Sequence, residues 1–272
     1  MAAPPGPRGT ETCLKPGDGL YNSPGPYKVA KKAVDLGMIE PSQQTGKYTI
    51  YYPDPLEANC PHPIIAWGNG TGVTDSDTTY NFLHSAAASW GIVVASSAET
   101  NSGSGKFHTT GLDYLLKENA DPNSMFFGKL STRAGVSGHS QGGFGASRGA
   151  AHPNVVAAVV EGASFVSTAK VSGLTLTGTE DLGVGAADAV SRAQGPMFVA
   201  VWEGGDHITT ETGLGIVSGD KGTLQFQRLY AAWFRCFLGN DGQACALFEG
   251  GTPDNCGICK DPGWAKLASA KL

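Results

Sequence analysis

The pentapeptide Gly138-His139-Ser140-Gln141-Gly142 sets a serine between two glycines with one residue on either side. It follows the short run Arg133-Ala-Gly-Val-Ser137 and precedes a helical pattern over residues 141–151. A chain that leaves a strand and enters a helix in one sharp turn strains the residue at the apex. It also crowds the positions two before and two after, where glycine is needed. Such a turn would lift the Ser140 hydroxyl above a sheet and hold it at a helix N-terminus, where the Gln141 N–H can donate to a developing oxyanion. The chemistry would be nucleophilic attack on a carbonyl. A glycine-flanked serine is a weak signal in a chain with 39 glycines, so the strand before it and the helix after it carry the reading.

A serine hydroxyl needs a base, and the base needs a carboxylate to orient it. In strand–turn–helix sites of this kind the acid and then the histidine follow the serine in the chain. Leu174-Thr-Leu-Thr-Gly-Thr-Glu-Asp181 supplies a strand, a glycine and two adjacent acids. Asp181 is the favoured acid and Glu180 the alternative. Of six histidines, only His207 follows a strand that itself follows Asp181, in Glu203-Gly-Gly-Asp-His-Ile-Thr209. His62, His84 and His108 precede the elbow, His139 lies inside it, and His152 ends the helix after it. A second oxyanion donor is expected from the loop Gly68-Asn-Gly-Thr-Gly72, namely the N–H of Asn69, with that of Gly70 as the alternative. That loop has no Gly-Lys-Ser/Thr and so is not a P-loop. The cycle these residues imply needs no cofactor and no metal.

The elements that must hold them alternate along the chain. Tyr27–Val34 (or a helix there), Tyr48–Tyr52, Pro63–Trp67, Gly91–Ala95, Arg133–Ser137, Val155–Val160, Leu174–Thr177 and Met197–Trp202 read as strands. Helical patterns fall near Tyr80–Ser89, Gly111–Glu118, Gln141–Ala151 and Gly222–Leu238. Continuous apolar runs separated by helices require a mostly parallel sheet covered on both faces. The expected fold class is α/β, a doubly wound mostly parallel sheet. Residues 1–24, rich in Pro and Gly, read as a lead-in arm, either poorly ordered or pinned by Cys13, and residues 25–272 as a single domain with a Cys-rich C-terminal tail. Only 13 residues, Glu161 to Gly173, separate two strands where a helical cap would be inserted. No cap domain is expected.

The net charge of −5 and the absence of any Lys/Arg run argue against nucleic acid as a partner. No apolar stretch is long enough to span a bilayer. The start lacks a signal-peptide pattern. Of the six cysteines, Cys13, Cys60, Cys236, Cys245, Cys256 and Cys259, four crowd the last 37 residues, in a Gly/Pro-rich tail with no obvious core of its own. An even count so placed reads as a disulfide set and places the protein outside the cell. Free thiols, or a zinc site on Cys256-Gly-Ile-Cys259, are the alternatives, and the sequence does not select one pairing. Oligomeric state is not legible.

At these motifs the chain resembles the α/β-hydrolase superfamily, and within it the branch of dienelactone-hydrolase-like esterases, bacterial cutinases and poly(ethylene terephthalate) hydrolases. The resemblance runs from Gly25 to Leu272 and rests on Gly25-Pro-Tyr-Lys-Val, Tyr51-Tyr-Pro53, the Gly68–Gly72 loop, Gly138-His-Ser-Gln-Gly-Gly143 and Trp233–Asp241. It implies an α/β-hydrolase fold and a secreted serine esterase with the triad Ser140, Asp181 and His207; a peptidase or amidase using the same triad, or a non-catalytic α/β-hydrolase binding protein, are the alternatives. The implied substrates are short-chain esters, with polymeric esters as a further class. Phe165 and His139 are the implied substrate-binding side chains. Gln141 stands where those enzymes usually have methionine, and Asn69 where they usually have an aromatic residue.

Overall fold

Alternation of side chains along each apolar run decides the architecture. The structure, a computed structural model, describes residues 13–17, 19–40, 44–74, 76–181, 190–209, 219–249 and 256–272. Its strands are β1 (Lys28–Glu40), β2 (Gln44–Asp54), β3 (His62–Gly68), β4 (Val93–Ser97), β5 (Leu130–His139), β6 (Val155–Glu161), β7 (Ser172–Gly178), β8 (Met197–Trp202) and β9 (Trp264–Ala270). They form one sheet in the order β1-β2-β4-β3-β5-β6-β7-β8-β9. From β4 to β8 in that order every pairing is parallel. The β1–β2, β2–β4 and β8–β9 pairings are antiparallel. The protein is thus an α/β fold with an open, mostly parallel sheet. Its helices include α1 (Ser76–Thr79), α2 (Asn81–Ser89), α3 (Lys106–Ala120), α4 (Gln141–Gly149), α5 (Gly219–Phe237) and α6 (Gly242–Cys245).

Neighbouring residues of one strand enter different cores, because successive side chains point to opposite faces. Ile65, Trp67, Val94, Val159, Leu176 and Ala200 pack with Leu83 of α2 and with Phe226, Tyr230 and Trp233 of α5. Ile64, Ala66, Val93, Val160 and Val199 pack with Leu112 and Leu115 of α3 and Ala146 of α4. Each fully buried large side chain stabilises the fold by roughly 1.5–3 kcal/mol. Helices therefore cover both faces, as the apolar runs require.

Tyr27–Val34 belongs to a strand, not a helix, and β1 is an outer strand carrying Lys28, Lys31 and Lys32, charges suited to a sheet edge. Strand β9, at the other edge, has no counterpart in the sequence reading. Its sequence, Trp-Ala-Lys-Leu-Ala-Ser-Ala, is poor in β-branched residues, and its side chains are only partly covered.

Residues 13–24, expected as a lead-in, are fastened to the core. Cys13 is bonded to Cys60, Leu14 and Tyr21 are buried, and Arg228 Nε donates to the Leu20 carbonyl at 2.6 Å. Residues 1–12 lie outside the described residues. The fully buried Arg235 binds Asp241 Oδ2 through Nε at 2.7 Å, and Tyr21 Oη donates to the same oxygen at 2.6 Å. Burial alone would raise the Asp241 pKa, but the Tyr21 hydroxyl and the Arg235 guanidinium hold it below its usual range.

All six cysteines are paired, as Cys13–Cys60, Cys236–Cys245 and Cys256–Cys259. The disulfide expectation holds, and the zinc alternative does not, because oxidised sulfurs are not thiolate ligands. Within the tail, Cys245, Leu247, Phe248, Cys256 and Ile258 are buried in the α2/α5 cluster. Among the described residues no helix is long and apolar enough to cross a membrane.

Candidate active site

In the sheet order β4-β3-β5, the chain after β3 turns to one side, and β5 takes the other. Ligands of open α/β sheets bind outside the carboxyl ends of strands at such a reversal. The register pairs Gly68 with Gly138 across β3 and β5, and His139 with Glu161 across β5 and β6. The carboxyl ends of these strands therefore form one edge.

Ser140 sits at that edge as the N-cap of α4, with φ 53° and ψ −117°. A positive φ in a non-glycine residue is strained and is held only by surrounding contacts. Here the Ser140 N–H donates to the Glu161 carbonyl at 2.8 Å, and the Ser140 carbonyl accepts from Gly143 N–H at 3.0 Å. The flanking glycines meet the crowding anticipated for them. A Cβ on Gly138 would lie 2.4 Å from the Gly142 backbone, and one on Gly142 would lie 1.9 Å from the Gly68 oxygen.

The structure brings His207 and Asp181 to Ser140. His207 Nε2 lies 2.8 Å from Ser140 Oγ, and Nδ1 lies 2.8 Å from Asp181 Oδ1. The other carboxylate oxygen of Asp181 accepts from Thr177 Oγ1 at 3.0 Å. The Asp181 side chain is 1% exposed and the His207 side chain 46% exposed, so the acid is dry and the base faces solvent. The adjacent acid, Glu180, is exposed.

Two further features place this pair. The β7 and β8 ends pass so closely that a Cβ on Gly178 would lie 1.9 Å from the Gly205 oxygen. The His207 loop is pinned by a reciprocal pair, in which Asp206 N–H donates to Thr209 Oγ1 at 2.8 Å and Thr209 Oγ1 donates to Asp206 Oδ1 at 3.0 Å. Thr177, Asp206 and Thr209 were not singled out from sequence. The Asp-x-x-Thr spacing of residues 206–209 is the signal that could have found the last two.

In the loop after β3, Asn69 is fully buried. Its Oδ1 accepts from Trp67 Nε1 at 2.9 Å, and its carbonyl accepts from Ser102 Oγ at 2.7 Å. The Gly70 N–H points to Tyr80 Oη at 3.3 Å. The N–H of Gln141 belongs to the first turn of α4, where no intrahelical acceptor exists. His108 lies beneath the elbow, fully buried, with Nε2 donating to the Ser137 carbonyl at 3.0 Å. Burial pushes its pKa down to about 4, so the ring is neutral.

The two expected substrate-binding side chains are both buried. Phe165 is 7% exposed and belongs to the α3/α4 core, with its ring against Gly173. An aromatic side chain on the loop after β6 buries more area inward than outward, and its neighbour Val166 takes the exposed place instead. His139 is 1% exposed. Both of its ring nitrogens are engaged, Nδ1 with Tyr80 Oη at 2.9 Å and Nε2 with the His207 carbonyl at 2.7 Å. Beside Gln141, a groove of about 440 Å³ is lined by Asn101, Gly103, Ser104, Gln141, Phe144 and Arg148.

What the fold and this geometry define is an α/β protein carrying a hydrogen-bonded Ser–His–Asp set at the carboxyl edge of a parallel sheet. No model of a known protein family matches the chain, and no curated protein is similar to it in sequence.

Proposed function

We propose that this protein is a secreted serine carboxylic ester hydrolase of the α/β-hydrolase fold, close in kind to the cutinase and polyesterase branch that its motifs resemble. The observation that carries the reading is the pair of 2.8 Å contacts joining Ser140, His207 and Asp181 in one line. In this reading His207 Nε2 takes the Ser140 proton as Oγ attacks the ester carbonyl. Asp181, itself held by Thr177, keeps the imidazole in the tautomer with the proton on Nδ1 and stabilises the imidazolium. The oxyanion is bound by the N–H groups of Gln141 and Asn69. Gly70 is the poorer donor, because its N–H is directed to Tyr80. Protonated His207 then gives its proton to the departing alcohol, and water repeats the sequence on the acyl-enzyme.

Short-chain esters and segments of polymeric esters are the proposed substrates. Support comes from residues 162–171, between β6 and β7, which contain no helix that would close over Ser140 from that loop. Three disulfides support an oxidising, extracellular setting. The test is labelling by a fluorophosphonate probe together with hydrolysis of p-nitrophenyl butyrate. Labelling confined to Ser140, with ester turnover lost in Ser140→Ala, is expected. Absence of both in the folded wild type would refute the reading.

A further inference from the structure

Between the nucleophile and the two loops that serve it runs a chain of hydrogen bonds that the cycle above does not use. The Gly70 N–H meets Tyr80 Oη at 3.3 Å, Tyr80 Oη meets His139 Nδ1 at 2.9 Å, and His139 Nε2 meets the His207 carbonyl at 2.7 Å. The directions are settled by the end groups. A carbonyl only accepts, so His139 Nε2 carries a proton, and the Gly70 N–H only donates. The Tyr80 hydroxyl accepts from Gly70 and gives its own proton to His139 Nδ1, which accepts. Every donor in this chain finds an acceptor in the same sense.

The members are sealed from water, Tyr80 at 0% and His139 at 1% exposure. The His139 and His207 rings lie 4.9 Å apart, centre to centre. Gly162, at φ +56°, passes over both. A Cβ there would lie 3.0 Å from His139 Nε2 and 3.1 Å from His207 Cε1. At the far end, the Asn69–Gly70 peptide is gripped from both sides, by Ser102 Oγ on its carbonyl and by Tyr80 Oη on its N–H.

From this geometry, and resting on the hydrolase reading, we infer that Tyr80 and His139 are positioning residues that lock the base loop and the oxyanion loop to the nucleophile elbow in one register. His139 is the residue before Ser140, so its ring ties the elbow to the backbone of His207. Tyr80 ties that ring to the peptide beside the Asn69 donor. The two loops come from β3 and β8, which do not neighbour each other in the sheet. Their relative placement therefore needs a link of this kind. A shift of about 1 Å in a catalytic group is enough to slow turnover about a hundredfold.

The test uses Tyr80→Phe, which removes one oxygen and keeps the ring in place. We expect kcat on p-nitrophenyl butyrate to fall ten- to a hundredfold, as an order of magnitude, with KM within about twofold. The rate of Ser140 phosphonylation should fall in parallel. His139→Gln, whose amide still donates toward the His207 carbonyl, should retain more kcat than His139→Leu. Tyr80→Phe and His139→Gln together should cost less than the product of their separate effects. Thermal unfolding of each variant reports whether it folds, and Tyr80→Phe decides the matter if the His139 variants do not. Wild-type kcat in Tyr80→Phe, or a loss confined to KM, overturns the inference while leaving the hydrolase reading intact. A folded wild type that neither labels nor turns over ester overturns both.

Discussion

Gly142 and Gly68 touch backbone to backbone, in a gap that a single methyl group would close. A Cβ on Gly142 would stand 1.9 Å from the Gly68 oxygen and 2.8 Å from the Asn69 oxygen. The elbow and the end of β3 can approach only because this position has no side chain. Gly142→Ala should therefore push the elbow away from the Gly68–Asn69 loop. It is expected to destabilise the fold by about 1–3 kcal/mol, the usual cost of overpacking. Ester turnover should fall further than stability does. Urea denaturation and p-nitrophenyl ester kinetics on the same preparation would check both. A variant with wild-type stability and turnover would show that the contact has slack.

The proposed triad makes a sharper set of expectations. Ser140→Ala and His207→Ala should each reduce kcat/KM by roughly 10⁴-fold or more with folding intact, since the members act as a unit. Asp181→Asn should approach the same loss, because an amide cannot stabilise the imidazolium. Glu180→Gln, an exposed change, should stay near wild type. The reverse outcome for the two acids would reassign the carboxylate.

Two buried groups make stability depend on pH in opposite directions. Glu161 is fully buried, and neither carboxyl oxygen has a hydrogen-bond partner among the described residues. Burial raises its pKa well above the usual carboxylate range. The folded state therefore holds a proton that the unfolded chain releases. Stability from this group is full below the ordinary carboxylate pKa and is lost as pH rises above it, by about 1.4 kcal/mol per pH unit until the folded pKa is reached. Glu161→Gln should abolish that slope, so its melting temperature should exceed that of the wild type by a margin that widens from pH 5 to pH 8. His108 has the opposite sign. Its folded pKa is depressed to about 4, so its stability is full above the ordinary histidine value and is lost as pH falls from there toward 4. Thermal scans across pH, on the wild type and Glu161→Gln, separate the two.

The three disulfides close loops of very different length, with sequence separations of 47, 9 and 3 residues. Chain entropy then ranks them. Removing Cys13–Cys60 should cost about 4 kcal/mol, Cys236–Cys245 about 2.5 and Cys256–Cys259 about 1.5. Paired Cys→Ser variants, compared by chemical denaturation, test the order. If the shortest bridge proves the most important, local packing of the tail outweighs loop closure.

Much of this molecule is legible without coordinates, for identifiable reasons. Runs such as Met197–Trp202 and Val155–Val160 are continuous in apolar character because strands buried on both faces admit nothing else. Gly138 and Gly142 flank Ser140 because sterics within five residues demand it. The chain order of Ser140, Asp181 and His207 was readable because each follows a strand. What tertiary structure alone decided is which of two neighbours faces inward. Asp181 and Glu180 are adjacent acids on one turn, of which the sequence already favours Asp181, and the fold sets Asp181 against His207 and leaves Glu180 exposed. Phe165 is likewise buried while its neighbour Val166 is exposed. His139 is a polar residue in an exposed-looking motif until Tyr80, 59 residues earlier in the chain, closes over it. Strand β9 was invisible because its pairing energy comes from the free edge of β8, not from its own residues. Local sequence records steric and periodic constraints between near neighbours, whereas these outcomes depend on surfaces that meet only when the sheet is assembled.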